Sequence, residues 1–464
     1  MTSWAPHLAE RSGPVYLAIA DAIARDTAGG RLRAGTRLPT HRELADSLGV
    51  TVGTITRGYA EAARRGLISG EVGRGTFARG ASSDATAFGA SGPHGAALID
   101  LSLNHPPPLA EGPGGPLSKA LAALARRSDF TGLLDYAPDG GAPAHRAAGA
   151  ALAAMAGVKA APEQVLVSSG SQHAMTAVFT ALVQPGELVL TESLTYPGMK
   201  ALAGLLHLRL QGLPLDEQGL RPDGLEAACR SGGAKVLYCI PTLHNPTVAV
   251  MPEERRREIV GLARAHNLVI VEDDVHGPLA EEAPSPLAAL APERTCYLAG
   301  TAKTLAPGLR TSFVVAPPPL VARIASGIRA TAWMAAPLMA EIVTLWIKDG
   351  TARQILKRRR DEARARQKLA SAALRGFRMD AHPAAFHLWL HLPDPWRSET
   401  FADEARRQGV AVTPSQSFLV GRGSAPHAVR VCLGAARDRA ELERGLELLA
   451  GLLASSPEAS QMIV

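Results

Sequence analysis

Lys303 lies in the stretch LAGTAKTLAPGLRTSFVV and is one of only eight lysines in a chain of 464 residues. Every other residue from Tyr297 to Leu309 is uncharged. Such surroundings desolvate an ammonium and lower its pKa toward that of a usable nucleophile. Arg310 follows seven positions later. Without context, a lone lysine in a loop is more often a surface residue. Glu272, Asp273 and Asp274 end the apolar run LVIVEDDV, and acids at the carboxyl end of a buried strand lie where α/β proteins place ligand sites. A metal site is the rival reading of three adjacent acids, but no His or Asp partner stands at ligand spacing. Ser171 and Gln172, in SGSQ, fall at a helix start whose N–H groups and dipole suit a phosphate. An ordinary strand-to-helix turn fits SGSQ equally well. Asn245-Pro246 closes the polar loop of VLYCIPTLHNPT.

These residues need a scaffold of alternating strands and helices. From Ile99 onward strand-like and helix-like segments alternate, as an α/β domain requires. The run from Val165 to Ser168 reads as a buried strand feeding the helix at Ser171. With 464 residues at least two domains are expected. Residues 80–97, GASSDATAFGASGPHGAA, have no apolar periodicity and read as a flexible linker between residues 1–79 and 98–464. The four cysteines form no CxxC pair, which argues against zinc and fits a reducing cytoplasm. The amino terminus has no apolar signal core, and no apolar run is long enough for a membrane span.

Residues 1–79 carry 11 arginines, no lysine and 7 acids. A basic excess of this kind is weak evidence for nucleic acid and often marks only a solvated surface. A helix is expected from Val15 to about Thr27. Thr40 and Glu43 have capping-box spacing at the start of a second helix, and Gly49 suits its end. Thr51 can cap a third helix with Ile55, Tyr59 and Ala62 on one face. Helix, tight turn and helix form a helix-turn-helix, followed by a β-hairpin wing around Gly70, Gly73 and Gly75. The amino-terminal residues of the second of these helices lie nearest the bases, which brings Thr51, Gly53, Thr54 and Arg57 forward. Arg42 and Arg74 suit phosphates. A helical hairpin used for dimerisation is the alternative. Lys357-Arg358-Arg359-Arg360 reads as a solvated helix face, since Asp361 and Glu362 follow.

LPTHRELADSLGV, the Tyr59 helix, RRGLI and GRGTF occur in order from Val15 to Arg79, and this module closely resembles the GntR family of winged helices. Val52 and Gly53 stand where that family often has an arginine, so DNA sequence preference does not carry over. From about Ile99 to the carboxyl terminus, SGSQ, Tyr196-Pro197, Asn245-Pro246, Glu272-Asp273-Asp274 and TAKTLAPGLR resemble the fold-type I pyridoxal-phosphate enzymes, the aspartate aminotransferase superfamily. That resemblance implies a large α/β domain and a smaller carboxyl-terminal α+β domain. It implies that Lys303 forms the Schiff base with pyridoxal 5'-phosphate, that Asp273 pairs with the pyridine nitrogen, and that Asn245 bonds the ring hydroxyl. Tyr196 would stack on the ring, and Ser171, Gln172, Thr301 and Arg310 would hold the phosphate. Tyr136, in YAPDGG, would reach the phosphate of a neighbouring subunit, implying a dimer, and Arg430, in HAVRVCLGA, would grip a carboxylate.

One departure falls inside this set. His276 stands where many relatives have a tyrosine against the ring hydroxyl, and Val275 precedes it. His276 can still donate a hydrogen bond, but the change is expected to alter Schiff-base acidity and weighs against full transaminase turnover. The two halves in this order resemble the MocR subgroup of GntR regulators. The expectation is a cytoplasmic homodimer that binds a double-stranded DNA operator, carries pyridoxal phosphate and senses an amine or amino acid, with no metal and no membrane partner. An active aminotransferase with an accessory DNA module, and a sensor of pyridoxal phosphate alone, are the rivals.

Overall fold

The structure, a computed structural model, describes residues 4–6, 14–29, 31–32, 36–71, 75–78, 98–109, 114–421 and 423–455. The expected linker at 80–97 and Arg74 lie outside the described residues.

The amino-terminal module contains α1 (Val15–Ala28), α2 (His41–Leu48) and α3 (Val52–Arg64), then a hairpin of β1 (Ile68–Glu71) and antiparallel β2 (Gly75–Ala78). Its boundaries follow local chemistry. The Thr40 side chain accepts the Glu43 N–H at 3.3 Å while Glu43 accepts the Thr40 N–H at 2.7 Å, so two orphan donors of α2 are satisfied reciprocally. Gly49, at φ 65°, ends α2 in the left-handed region. Thr51 caps α3 by accepting the Thr54 N–H. Ile19, Ile23, Leu44, Ile55, Tyr59 and Ala62 share one core. A Cβ on Gly58 would stand 3.1 Å from Ile19, so α1 and α3 meet closely because position 58 has none.

The body opens with β3 (Ile99–Asp100). Seven strands then build the main sheet: β4 (Val165–Ser168), β5 (Leu188–Glu192), β6 (Arg209–Leu213), β9 (Ala234–Cys239), β10 (Val269–Asp273), β11 (Thr295–Gly300) and β12 (Ser312–Val315). A small ribbon, β7 (Leu215–Asp216) with β8 (Gly219–Leu220), interrupts their sequence. The spatial order is β4-β12-β11-β10-β9-β5-β6, with β12 antiparallel to both neighbours and the other pairings parallel. Alternation along each strand divides the core. Leu166, Val271, Leu298 and Val314 pack under helices Ser171–Leu182 and Pro318–Ala332, while Val165, Val167, Tyr297 and Phe313 pack on the opposite layer.

Helix Thr351–Ala373 leads to a smaller α+β unit with β13 (Met379–Asp380), β14 (His387–His391), β15 (Val410–Ala411), β16 (Thr413–Pro414) and β17 (Ala428–Cys432). β13, β14, β17 and β16 form an antiparallel sheet, and β15 pairs in parallel with β3. The expected two-part body is therefore the one observed. The Lys357–Arg360 expectation needs correction. Lys357 and Arg358 are exposed, but Arg359 is buried and donates to the Pro107 and Leu305 carbonyls, while Arg360 donates to the Pro278 carbonyl and Glu281. Nearby Asp361 and Glu362 did not decide the matter; backbone carbonyls that needed donors did.

Among the described residues no helix is long and apolar enough to cross a membrane, no His/Cys/Asp/Glu group could hold a metal, and all four cysteines are free.

Candidate functional site

The parallel strands deliver the site. Asp273 ends β10, Ser171 follows β4, Tyr196 follows β5, Asn245 follows β9, and Lys303 lies just past β11. Strand carboxyl ends converge on one side of such a sheet. Arg310 reaches the same side because β12 runs the other way. Arg430 comes from β17 of the smaller unit. One cavity is lined by Ser171, Gln172, Tyr196, Asn245, Asp273, His276, Lys303, Arg310 and Arg430.

Burial sets the electrostatics. It lowers Lys303 to about 8, with Arg430 and Arg310 pushing the same way. Burial raises Asp273, which the Tyr238 hydroxyl bonds through Oδ2 at 2.7 Å. His276 stays neutral, held far below its ordinary range by burial first and by His387, Lys303 and Arg430 next. Lys303 Nζ donates to the Asn104 carbonyl. Arg430 is fixed from two sides: Nη1 donates to Asn245 Oδ1 at 2.8 Å, and Nη2 donates to the Ser102 carbonyl at 2.7 Å. The other two acids of the run are structural. Glu272 accepts the Leu287 and Ala288 N–H groups, and Asp274 accepts the Tyr297 hydroxyl.

Two expected residues do not join the cavity. Thr301 is buried with its hydroxyl donated to the Thr311 carbonyl at 2.6 Å. Tyr136 is 82% exposed and stands beside the Trp333 ring. Four polar residues were missed: Ser102, Asn104 and His105 on the cavity wall, and Tyr238 behind Asp273. Tyr238 was within reach, since a hydroxyl in the apolar run VLYCI needs a buried partner. The segment 102–105 carries no periodicity and gave no signal.

At the start of α3 and along it, the cap Thr51 and Val52, Gly53, Thr56 and Arg57 are exposed while Ile55, Gly58, Tyr59 and Ala62 are buried. Arg57 rests over the Tyr16 ring with 5.4 Å to its centroid. The Thr51 and Thr54 hydroxyls lie 3.0 Å apart. Arg42 is exposed on α2. Thr56 and His41, 3.2 Å apart, share this surface and were not anticipated.

Residues 96–449 match the aminotransferase class I and II family, and residues 15–78 match the bacterial regulatory proteins of the gntR family. The uncharacterized HTH-type transcriptional regulator YdeF of Bacillus subtilis is 30% identical over 452 residues, covering 97% of each chain. The chain belongs to the MocR subgroup of GntR regulators. The HTH-type transcriptional regulator TauR of Rhodobacter capsulatus is 27% identical, covering 84% of this chain and 86% of its own. The structure of LysN, the alpha-aminoadipate aminotransferase of Thermus thermophilus complexed with N-(5'-phosphopyridoxyl)-L-leucine, superposes with a TM-score of 0.70. It is 26% identical and covers 80% of this chain and 94% of its own. This regulator is therefore a DNA-binding protein whose larger domain has the fold-type I architecture, and that domain's cofactor is pyridoxal phosphate.

The cavity fits that group. Asp273 Oδ1 is buried with no hydrogen-bond partner among the described residues, an acceptor that a protonated ring nitrogen would satisfy. Helix Ser171–Leu182 opens without a side-chain cap. Before it, Gly170 sits at φ 92°, and a Cβ there would come within 2.5 Å of the Arg310 guanidinium. The turn keeps backbone and arginine close enough to share an anion.

Proposed function

We propose that the protein is a homodimeric, cytoplasmic regulator that reads a double-stranded operator with residues 1–79. Residues 98–464, joined through a linker at 80–97, would sense an amine or amino acid at Lys303. The observation that carries this reading is one cavity in which Lys303, Asp273, Asn245 and Arg430 meet, on a chain that also carries a helix-turn-helix. When bound, pyridoxal phosphate supplies an electron-withdrawing ring with a carbonyl that amines attack.

The chain's residues divide the work around it. Lys303, with its pKa lowered to about 8, is uncharged often enough near neutrality to act as the attaching nucleophile. Asp273 offers a buried acceptor for a protonated ring nitrogen. Asn245 and His276 serve the ring hydroxyl, Tyr196 the ring face, and Ser171, Gln172 and Arg310 the phosphate, while Thr301, its hydroxyl spent on the Thr311 carbonyl, takes no part. Tyr136, exposed in one subunit, serves the phosphate of the other. Arg430, aimed by Asn245 and Ser102, takes the effector carboxylate. The Asn104 carbonyl, which accepts Lys303 Nζ, would hold the lysine's proton whenever its amine is free. At the DNA, Thr51, Thr54 and Arg57 read bases, while Arg42 and Arg74 hold phosphates. Effector binding shifts the dimer between DNA-binding geometries in proportion to its differential affinity for them.

The test is operator binding by the full-length protein, first with pyridoxal phosphate alone and then with a panel of amines and amino acids. A change in affinity that needs both cofactor and one amine supports the reading. A full response to cofactor alone makes the protein a cofactor sensor. Sustained conversion of an amino acid to its oxo acid, without any change at the operator, makes it an aminotransferase.

A further inference from the structure

A residue outside the expected set touches two of its members at once. Asn104 accepts Lys303 Nζ on its main-chain carbonyl and places its side-chain Nδ2 3.4 Å from His276 Nε2. We infer that Asn104 is a positioning residue that decides which His276 nitrogen carries the proton, and thereby tunes the proton affinity of the Lys303–cofactor linkage. This rests on the cofactor reading above, in which His276 serves the ring hydroxyl.

His276 is buried, and among the described residues Asn104 is the one hydrogen-bond partner of its imidazole, at Nε2, while Nδ1 has none. An amide N–H facing Nε2 donates to the ring lone pair and leaves the proton on Nδ1. A buried N–H without a partner is costly, so Nδ1 is a donor waiting for a ligand oxygen. Asn104 stands on a held segment of backbone. Ser102 donates its N–H and hydroxyl to Asp100 Oδ1 at 2.8 and 2.6 Å, and its carbonyl takes Arg430 and Thr413. On the other side Arg359 holds the Pro107 carbonyl. Residues 102–107 are thus fixed before and after Asn104. The charged and titratable groups facing Lys303 are Asp273, Arg310, Arg430, Cys432 and His105, and those facing His276 are His387, His244, Lys303 and Arg430.

A donor on the ring hydroxyl oxygen stabilises its anionic form and competes with the linkage proton, so it lowers that proton's affinity. Without the Asn104 amide, His276 is free to move its proton to Nε2, and the donor is weakened. The experiment titrates the visible absorbance of the cofactor-loaded full-length protein with pH, with operator binding as a check on folding. Asn104→Ala is expected to raise the midpoint by roughly 0.5–1 pH unit, the value of one net hydrogen bond. Asn104→Asp keeps the size, accepts instead of donating and adds charge beside Lys303, so it raises the midpoint further. His276→Ala raises it too, and Asn104→Ala added to His276→Ala changes nothing more, because the amide acts through the imidazole. An unmoved midpoint in both Asn104 variants overturns the inference, as does a shift that adds in full to that of His276→Ala. A wild-type protein with no lysine-linked band would instead sink the cofactor reading on which the inference stands.

Discussion

In the amino-terminal module Thr40, Thr51 and Tyr59 bond their polar atoms to the module's own backbone. In the cavity Asp273 Oδ1, Gln172 Oε1, His276 Nδ1 and Arg430 Nε are buried without a partner among the described residues. The two regions also use arginine in opposite ways. Arg42 and Arg57 are exposed, and Arg57 rests over the Tyr16 ring, whereas Arg359, Arg366 and Arg430 are buried and grip carbonyls. Unpaired buried groups are tolerated where a ligand will satisfy them. Exposed, unconstrained cations suit a polyanion whose phosphates are met in water. The contrast separates a site organised before its ligand arrives from a surface that acts mainly through charge.

The contrast breaks most sharply at Lys303. Lys303→Ala is expected to abolish the visible band and all borohydride-fixed cofactor, read by absorbance and peptide mass. In the wild type, the rate at which cofactor-free protein captures pyridoxal phosphate should rise with pH through about 8 and then level, because only the unprotonated amine attacks. A rise delayed to the ordinary lysine range would show that the cavity does not desolvate Lys303. Asp273→Ala comes next. Losing a buried charge partner costs about 1.5–3 kcal/mol, or roughly 10–100-fold in cofactor affinity by equilibrium dialysis. Unchanged affinity would move the pyridine-binding role to another acid.

The surface should respond more weakly and in two ways. Arg57→Ala should cost about 1–3 kcal/mol on the operator and little on scrambled DNA. Arg42→Ala should weaken both and lower the salt slope by about one. Competition titrations at several salt concentrations separate them, and a parallel loss for Arg57→Ala would make it a phosphate clamp. The smallest effect belongs to Thr40→Ala, which should cost about 1 kcal/mol of module stability in thermal unfolding and leave DNA sequence preference alone. A changed preference would place Thr40 in the DNA surface.

How much of this was legible in the sequence follows from range. Capping box, glycine stop, strand Val165–Ser168 and the acid-tipped strand Val269–Asp273 are local, so spacing alone outlined them. The gathering of Asn245, Asp273, Lys303 and Arg430 was readable only through the motif order that resembles known enzymes, because no single motif contains their contacts. Asn104 escaped because its partners, Lys303 and His276, are 199 and 172 residues away. Arg359 was misjudged for the same reason: its partners are carbonyls, and carbonyls leave no mark on a residue pattern.

The central claim is that the Lys303 cavity governs how the amino-terminal module holds DNA. Its most direct test is the operator affinity of wild type and Lys303→Ala, each loaded with pyridoxal phosphate, with and without an amine that perturbs the wild-type visible band. A ligand-dependent change in operator affinity is expected for the wild type and none for Lys303→Ala. The same change in both proteins would contradict it.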